Sequence, residues 1–438
     1  MAIVMIVGSG AREHVISCAY EKSPHVSKIV VAPGNDFMTF NRQKEVVIEK
    51  DCKLTGAESF LRIALKHKPD LIEVAQDDAL ACGTVDLLQA NGFRVFGPTK
   101  QAARIEWDKK WSREFMQKNG IPSPEFAYFD NAEQGKKYAA ELYEEHPDAI
   151  VFVKATGLCA GKGALKATNL REANAAIDKM QEFGEAGRVF LIEEGLVGEE
   201  FSCYAIIDGE DYFVFKSAQD NKLVFDGDKG GQTGGMGAIS PAMVTNGFED
   251  LIEENLIAPV VAGFKSMGIK YVGMLYLGGI IVDGEPMNIE YNARWGDPEC
   301  QVVLPPLETD YFELVNACID GKLSEIDVRQ DDKARVCVVG ASKGYPGDYS
   351  EVKGKRITGL EEAMAVGGVN VYGAGIKKNE AGEFIAAGGR LFSVVGEGRD
   401  LPEAKKRAYE AIAKVSVEGN NLHYRADIGW RDLKRLGW

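Results

Sequence analysis

Several common sequence features are missing from this chain of 438 residues. No run of about eighteen apolar residues occurs, so we expect no membrane-spanning helix. The N-terminus lacks a basic region and continues directly into a strand–turn pattern, which argues against a signal peptide. The eight cysteines form no Cys-x-x-Cys pair, so they support neither a zinc ribbon nor a disulfide framework and favour reduced thiols in a cytoplasmic protein. The net charge of −15 argues against a nucleic-acid partner, because binding a phosphate backbone depends on clustered Lys and Arg.

The pattern of apolar residues divides the chain into three parts. Residues 2–97 alternate short apolar strands with helical segments, which is typical of βαβ units and a parallel sheet. Two later pairs of strands flank Asp-Gly turns, at 201–216 and 273–293, and indicate antiparallel hairpins. We therefore predict an α/β and α+β multidomain protein. Its parts are an N-terminal α/β domain (1–103), a central catalytic region (104–330) with a smaller subdomain at about 125–190, and a C-terminal α+β domain (331–438).

The segment 287–299, MNIEYNARWGDPE, reads as a strand with one polar face. Alternation of side chains predicts that this face carries Asn288, Glu290, Asn292 and Arg294, and that Ile289 points the other way. Glu290 and Asn292 would offer oxygen ligands roughly 6–7 Å apart, and Mg²⁺ prefers such ligands. The alternative is a half-buried strand whose polar face only meets water.

A glycine-rich loop follows the strand that delivers Lys154, within VFVKATGLCAGKGALK at 151–166. Lys162 stands in this loop between Gly161 and Gly163. Glycines let backbone N–H groups approach an anion closely, and the two lysines add charge, so the loop suits a triphosphate. The order GxxxxGK[ST] is absent, which excludes a Walker A loop. The alternative is an ordinary mobile hairpin.

An apolar strand ends at Glu193-Glu194, and Leu196 and Glu200 follow it. An exposed strand end offers backbone N–H and C=O groups to the edge of an adenine ring, and a carboxylate just beyond can accept hydrogen bonds from ribose hydroxyls. Carboxylates that flank a turn are more often simply solvated.

The first strand–helix turn reads GSGAREH at 8–14. Its glycines, Gly8 and Gly10, expose a helix N-terminus that can bind an anion, and Arg12 adds charge. The full G-x-G-x-x-G is missing, and the second strand ends in VAPG (31–34) without the acidic residue that binds a ribose diol. A phosphate on a smaller substrate therefore fits better than NAD.

Taken together, these segments resemble the phosphoribosylamine–glycine ligases, also called glycinamide ribonucleotide synthetases, which are ATP-grasp enzymes of purine synthesis. The shared motifs, in chain order, are GSGAREH, VAPGN, FGPT, VKATGLCAGKG, IEEGLVGEE, SAQD, TGGMGAISP, IEYNARWGDPE and GYPGDY. The resemblance implies an ATP-grasp fold with an N-terminal parallel-sheet domain and a small C-terminal domain. It also implies that ATP, glycine and 5-phosphoribosylamine give glycinamide ribonucleotide, ADP and phosphate through glycyl phosphate, with Mg²⁺ or Mn²⁺, in a monomer.

The resemblance assigns roles to individual residues. The metal ligands would be Glu290 and Asn292. ATP would be bound by Lys109, Lys154, Gly161, Lys162, Gly163, Glu193, Glu194, Leu196 and Glu200. The catalytic residues at the glycine and phosphoribosylamine pocket would be Arg294, Asp297 and Asp220. The same pocket would be lined by Gly8, Gly10, Arg12, Gly235 and Gly237.

Two segments depart from the bacterial family pattern. Residues 75–80, AQDDAL, replace a proline-fixed turn, and this wall of the pocket stays unassigned. Trp107-Asp108 stand where the family has Gly-Ser before Lys109. The alternatives are another ATP-grasp carboxylate–amine ligase or a biotin-carboxylase-like enzyme, a non-catalytic nucleotide-binding regulator and, last, an NAD-dependent oxidoreductase.

Overall fold

The computed structural model describes residues 1–159 and 163–438. The chain begins with a five-stranded parallel sheet in the order β3-β2-β1-β4-β5. Its strands are β1 (Ala2–Gly8), β2 (Val26–Pro33), β3 (Glu45–Ile48), β4 (Leu71–Val74) and β5 (Val95–Phe96). The helices between them are α1 (Ala11–Lys22), α2 (Ala57–His67), α3 (Asp77–Ala81) and α4 (Thr84–Ala90). The apolar run Val4–Val7 is fully buried, because helices cover both faces of a parallel sheet.

Two short helices lead from this sheet to a smaller subdomain, which we call the lid. They are α5 (Arg104–Trp107) and α6 (Lys109–Lys118), and Asp108 separates them by capping α6, since its Oδ1 accepts a hydrogen bond from the Trp111 N–H at 3.1 Å. The lid sheet has the order β6-β9-β7-β8. Its strands are β6 (Phe126–Phe129), β7 (Val151–Ala155), β8 (Ala164–Ala167) and β9 (Phe190–Glu194), and its helices are α7 (Ala132–Glu145) and α8 (Leu170–Lys179).

The central region carries an antiparallel sheet in the order β11-β10-β16-β17. The strands of the region are β10 (Glu199–Ile207), β11 (Tyr212–Val214), β12 (Gln219–Asp220), β13 (Leu223–Phe225), β14 (Lys229–Gln232), β15 (Gly237–Ser240), β16 (Gly273–Val282) and β17 (Glu285–Asn292). Its helices are α9 (Glu249–Ile252), α10 (Ala258–Ser266), α11 (Cys300–Val303) and α12 (Tyr311–Asp320). Both predicted hairpins are confirmed, as β10–β11 and β16–β17. Val7 of the first sheet and Leu275 of the central sheet belong to one buried cluster, so the two parts share a core.

The C-terminal part builds a sheet in the order β12-β15-β18-β23-β20, with β25 paired to β18. Its strands are β18 (Ala334–Ser342), β19 (Ile357–Thr358), β20 (Val369–Gly373), β21 (Ile376–Lys378), β22 (Phe384–Ala386), β23 (Arg390–Gly398), β24 (Ser416–Val417) and β25 (Leu422–His423). The helices are α13 (Leu360–Met364), α14 (Leu401–Ile412) and α15 (Trp430–Arg435). Because β12 and β15 complete this sheet, Asp220 lies against the C-terminal part, and so does the glycine-rich segment 226–237. Over the described ranges, no helix is both long and apolar enough to cross a membrane.

Candidate active site

A cleft with a cavity volume of about 150 Å³ lies where the lid meets the central sheet. Residues from both sides line the cleft, among them Lys109, Lys154, Glu194, Leu196, Glu200, Lys222, Ile289 and Glu290. The structure thus brings together most of the described residues that the resemblance assigns to ATP. Gly161 and Lys162 lie outside the described residues, and a Cβ at Gly163 would stand 2.8 Å from the Cβ of Cys159.

A buried charge cluster forms the floor on the lid side of the cleft. The Glu193 carboxylate accepts hydrogen bonds from Arg113 Nε at 2.7 Å and Arg113 Nη2 at 2.9 Å, and Lys154 Nζ lies 2.5 Å from its Oε2. Burial opposes ionisation of Glu193, but Lys154 and Arg113 lower its pKa to about 2. Glu193 is 1% exposed, so its carboxylate is not available to adenine, and only its backbone fits that predicted role.

The predicted alternation along β17 is wrong at one point. The strand has a bulge at Ile289, so that Asn288 lies opposite Gly279 while Glu290 lies opposite its neighbour Gly278. A bulge inserts one residue and changes the face on which the following side chains emerge. Asn288 is accordingly buried away from the cleft, and Ile289 borders the cleft beside Glu290.

Glu290 and Asn292 present oxygen atoms of the kind that Mg²⁺ and Mn²⁺ accept. The Glu290 carboxylate is about half exposed, with Lys109 Nζ 3.9 Å away. Partial loss of hydration in the cleft opposes its ionisation, but Lys109, Lys154, Lys222 and Arg294 hold its pKa below the usual value. Asn292 Oδ1 accepts one hydrogen bond, from Arg294 Nη2 at 3.1 Å, which leaves a second lone pair. The donor set therefore fits a hard divalent cation.

Arg294 is fixed from behind by a residue that the sequence did not single out. Glu106 Oε1 lies 2.9 Å from Arg294 Nη2, and Glu106 Oε2 accepts the Ala293 N–H at 2.9 Å. Both partners are largely enclosed, at 17% and 5% side-chain exposure. Arg294 Nε is buried without a hydrogen-bond partner among the described residues. The guanidinium is thus held rigidly by Glu106.

Asp297 lies where the first turn of the chain meets the glycine-rich segment. Its Oδ1 accepts a hydrogen bond from Gln301 Nε2 at 2.8 Å, and Arg390 Nη1 is 3.4 Å away. A Cβ at Gly10 would stand 3.1 Å from Asp297 Oδ2, and one at Gly235 would stand 2.4 Å from Pro298 Cδ. Gly10 and Gly235 are therefore required for close packing against this loop.

The Gly10 N–H at the first helix N-terminus is already bonded within the chain. The Gly10 N–H donates to Glu13 Oε2 at 2.6 Å, as in a capping box, and a Cβ at Gly8 would stand 2.4 Å from Glu13 Cγ. Arg12 is buried, with Nε on Glu13 Oε1 at 2.6 Å and Nη1 on the Trp295 carbonyl at 2.9 Å. The chain's own carboxylate thus engages two of the donors that the sequence prediction offers to a substrate phosphate.

Asp220 lies in a second hollow of about 190 Å³, which shares Glu200 and Lys222 with the main cleft. Lys222 Nζ is 2.6 Å from Glu200 Oε2. Burial, together with Glu299 and Glu200, raises the pKa of Asp220 to about 7 despite the nearby Lys222. Gly237 is buried within β15, where a Cβ would stand 2.4 Å from the Cys337 carbonyl oxygen, so sheet packing explains this glycine.

The segment 75–80, which the sequence left unassigned, brings an acidic side chain close to two of the predicted site arginines. Asp77 begins α3, and burial of its carboxylate is outweighed by Arg294 and Arg12, which lower its pKa. Gln76 Nε2 donates to Glu13 Oε1 at 3.3 Å. An acidic side chain thus faces the same arginines without the proline-fixed turn.

A lid sheet and a central sheet that close on one charged cleft define the ATP-grasp fold, and this confirms the predicted fold class. The biotin carboxylase domain of Hydrogenobacter thermophilus 2-oxoglutarate carboxylase, solved with MgADP, shares this fold with a TM-score of 0.69 at 16% identity, covering 97% of this chain and 91% of that one.

Family models extend this to a particular family. The models for the N, ATP-grasp (A) and C domains of phosphoribosylglycinamide synthetase match residues 2–106, 107–300 and 335–431. A phosphoribosylamine–glycine ligase of Caldanaerobacter subterraneus subsp. tengcongensis is 38% identical over 97% of this chain and 99% of its own length. The crystal structure of the Thermotoga maritima phosphoribosylamine–glycine ligase matches with a TM-score of 0.80 at 30% identity, covering 98% of this chain and 100% of that one. The chain belongs to the phosphoribosylglycinamide synthetase family, which confirms the resemblance, and it is a ligase that forms a C–N bond.

Proposed function

We propose that this protein joins glycine to 5-phosphoribosylamine at the expense of ATP, giving glycinamide ribonucleotide, ADP and phosphate for purine biosynthesis. The observation that carries the proposal is that the predicted metal ligands continue directly from the cleft with the predicted ATP-binding lysines. Glu290 borders the cleft that holds Lys109 and Lys154, and Asn292 and Arg294 follow it on the same stretch of chain. A nucleotide phosphate and a carboxylate substrate can therefore meet at this stretch. The names of the relatives support the same reaction.

The reaction needs two steps, because a carboxylate is a poor electrophile. A carboxylate oxygen of glycine attacks the γ-phosphorus of ATP, the bond to the β-phosphate oxygen breaks, and ADP leaves. The nitrogen of phosphoribosylamine then attacks the carbonyl carbon of glycyl phosphate, the bond from that carbon to the phosphate oxygen breaks, and the nitrogen loses a proton. Asp220, with a pKa near 7, is suited to accept this proton.

Glu290 and Asn292 would hold Mg²⁺ or Mn²⁺. A bound divalent cation would neutralise charge on the phosphate oxygens. Arg294 orients the amide of Asn292 through the hydrogen bond to Oδ1, which fixes the oxygen for metal binding. The chain's own contribution is to position the ligands and to exclude water from the cleft.

Each predicted residue takes a place in this scheme. Lys109 and Lys154, with Gly161, Lys162 and Gly163, would contact the phosphates of ATP. The backbone at Glu193–Leu196 would meet adenine, and Glu200 would meet the ribose. Arg294 and Asp297 would bind glycine and phosphoribosylamine. Gly8, Gly10, Arg12, Gly235 and Gly237 would shape that pocket by packing, in line with the contacts described above.

We also propose a cytoplasmic monomer that binds neither nucleic acid nor membranes, as the sequence predicts. Light scattering of the purified protein tests the monomer. A particle of twice the mass expected from the sequence would contradict it.

ADP release tests the proposed reaction when one component is omitted at a time. Phosphoribosylamine is generated in the cuvette from ribose 5-phosphate and ammonia. We expect ADP only when ATP, glycine, the sugar amine and Mg²⁺ are all present. ADP that appears with bicarbonate or another carboxylate in place of glycine would instead indicate a different ATP-grasp enzyme. Binding of ATP without turnover under any combination would indicate a regulator.

A further inference from the structure

Arg113 is the most completely engaged arginine next to the cleft, and the reaction scheme above gives it no role. Its guanidinium forms a two-pronged pair with Glu193, and the side chains are only 4% and 1% exposed. Its Nη2 also donates to the Ile289 carbonyl at 2.6 Å. A planar guanidinium fixes a carboxylate in position and orientation, which a single ammonium group cannot do.

The cluster around Glu193 contains one more positive than negative charge. One carboxylate faces two cations, Arg113 and Lys154, and all three side chains are at most 10% exposed. Lys154 also attracts the Glu290 carboxylate, which borders the same cleft, so its charge acts on both carboxylates. The open side is the cleft, because Lys154 lines it.

Arg113 also connects the two walls of the cleft. Glu193 belongs to the lid strand β9, whereas Ile289 is the bulge residue of β17, directly before Glu290. One guanidinium therefore sets the position of a lid carboxylate relative to the strand that carries the predicted metal ligands. The position of Lys154 depends on this carboxylate, because Lys154 Nζ and Arg113 Nη2 both contact Glu193 Oε2.

We propose that Arg113 is a positioning residue for the phosphates of the nucleotide, because it holds Glu193 and thereby places the Lys154 ammonium at the cleft, in register with Glu290. The inference rests on the proposed function, in which this cleft binds ATP. Arg113 itself does not contact the nucleotide in this account. Its effect passes through Glu193 and Lys154.

The competing explanation is that Arg113 only fastens the lid to helix α6. A loose lid would weaken every ligand of the cleft, including one without phosphates. A misplaced Lys154 would weaken ATP but not adenosine, because adenosine lacks the phosphates that the ammonium attracts. The comparison of ATP with adenosine therefore separates the two explanations.

The test is calorimetric titration of ATP and competition by adenosine, with Arg113→Gln, Arg113→Lys and Lys110→Gln. Lys110 is the matched control, since it lies on the same helix and contacts the lid through the Tyr128 ring at 3.8 Å rather than through Glu193. For Arg113→Gln we expect the Kd of ATP to rise roughly tenfold or more, which is about 1.4 kcal/mol, while the Kd of adenosine changes by less than about twofold. Arg113→Lys, which keeps the charge but not the two-pronged geometry, should show a smaller rise, and Lys110→Gln none.

Equal losses for ATP and adenosine, or unchanged ATP affinity in a folded Arg113→Gln protein, would overturn the inference. If Arg113→Gln does not fold, the same comparison is made with Arg113→Lys, and the same two results decide. Failure of the proposed function is recognised separately, in the wild-type protein: ATP binding without glycine-dependent ADP release rejects the ligase and leaves the role of Arg113 standing. Wild-type protein that binds no ATP would overturn both.

Discussion

Replacing Glu193 by Gln removes the charge that holds Arg113 and Lys154 together. Burial is outweighed by these two cations, and the pKa of the carboxyl falls to about 2 from an ordinary value of 4.5. That gap corresponds to about 3 kcal/mol, at roughly 1.4 kcal/mol per pKa unit. Because the group is 1% exposed, solvent screens the interaction little. The variant would also leave two buried cations without a carboxylate, and breaking such a pair costs ~3–5 kcal/mol.

We therefore expect Glu193→Gln to lower the free energy of unfolding by about 3–5 kcal/mol at pH 7. Urea unfolding followed by tryptophan fluorescence is a suitable assay, because Trp111 lies on the same helix as Arg113. The folded pKa is lowered, so the stabilisation is present above the unfolded value and is lost as pH falls through the folded value. The difference between the proteins should thus be constant from about pH 8 to pH 5.5. Glu144→Gln, at an exposed position of the lid helix α7, is the control. A loss below about 1 kcal/mol, equal to that of the control, would refute this reasoning.

Three further variants test other parts of the site. Glu290→Ala should lower glycine-dependent ADP release by roughly 10³-fold or more, because the predicted metal site loses its carboxylate, while circular dichroism shows an intact fold. The control is Glu285→Ala at an exposed position of the same strand, which should keep near-normal turnover. Near-normal turnover in Glu290→Ala would remove the assignment of Glu290 as a metal ligand. Gly235→Ala would place a Cβ 2.4 Å from Pro298 Cδ at a φ of +108°, so we expect a raised KM for glycine. Gly247→Ala is the control, because its φ is also positive, at +82°, but its Cβ would have nothing within 4 Å, and it should leave the KM for glycine unchanged. The same KM in both variants would contradict the packing argument. Burial raises the pKa of Glu73 to about 7, so its contribution to stability is complete below its unfolded value of 4.5 and is lost as pH rises through 7. Glu73→Gln should therefore gain stability over the wild type, by ~3 kcal/mol, as pH rises from 4.5 to 8 in thermal unfolding; parallel pH profiles would refute this.

The fold class and much of the cleft could be predicted because they depend on local patterns. Short apolar strands between helices predicted the parallel sheet, and the Asp-Gly turn at 283–284 predicted the β16–β17 hairpin. The sequence motifs singled out Lys154, Glu194 and Glu290, and in the structure all three line one cleft. Family resemblance supplied the predicted roles of these residues, which no single segment would have specified.

The long-range pairs could not be predicted from the sequence. Arg113 meets Glu193 and Ile289, and Glu106 meets Arg294, although these partners are far apart in the chain. No local signal distinguishes these residues from ordinary charged residues on a helix. The bulge at Ile289 could not be predicted either, because a one-residue insertion leaves the apolar pattern almost unchanged.

The anion site at Gly10 stays a prediction, and the sequence did not reveal that Glu13 of the same motif takes the Gly10 N–H. Glu13 stands at the third position of α1, from which a carboxylate can reach back to the Gly10 N–H. The division into domains at 103 and 330 stays a prediction. Strands β12 and β15 of the central region complete the C-terminal sheet, so this sheet is built from both sides of residue 330.

The transfer of oxygen from glycine to phosphate tests the central chemical claim most directly. Glycine labelled with ¹⁸O in both carboxylate positions is turned over with ATP and phosphoribosylamine generated in place, and the inorganic phosphate is examined by mass spectrometry. If the carboxylate attacks the γ-phosphorus before the amine attacks the carbonyl, each phosphate carries one ¹⁸O and the new amide retains the other. Phosphate without ¹⁸O, formed together with glycinamide ribonucleotide, would contradict the glycyl phosphate step.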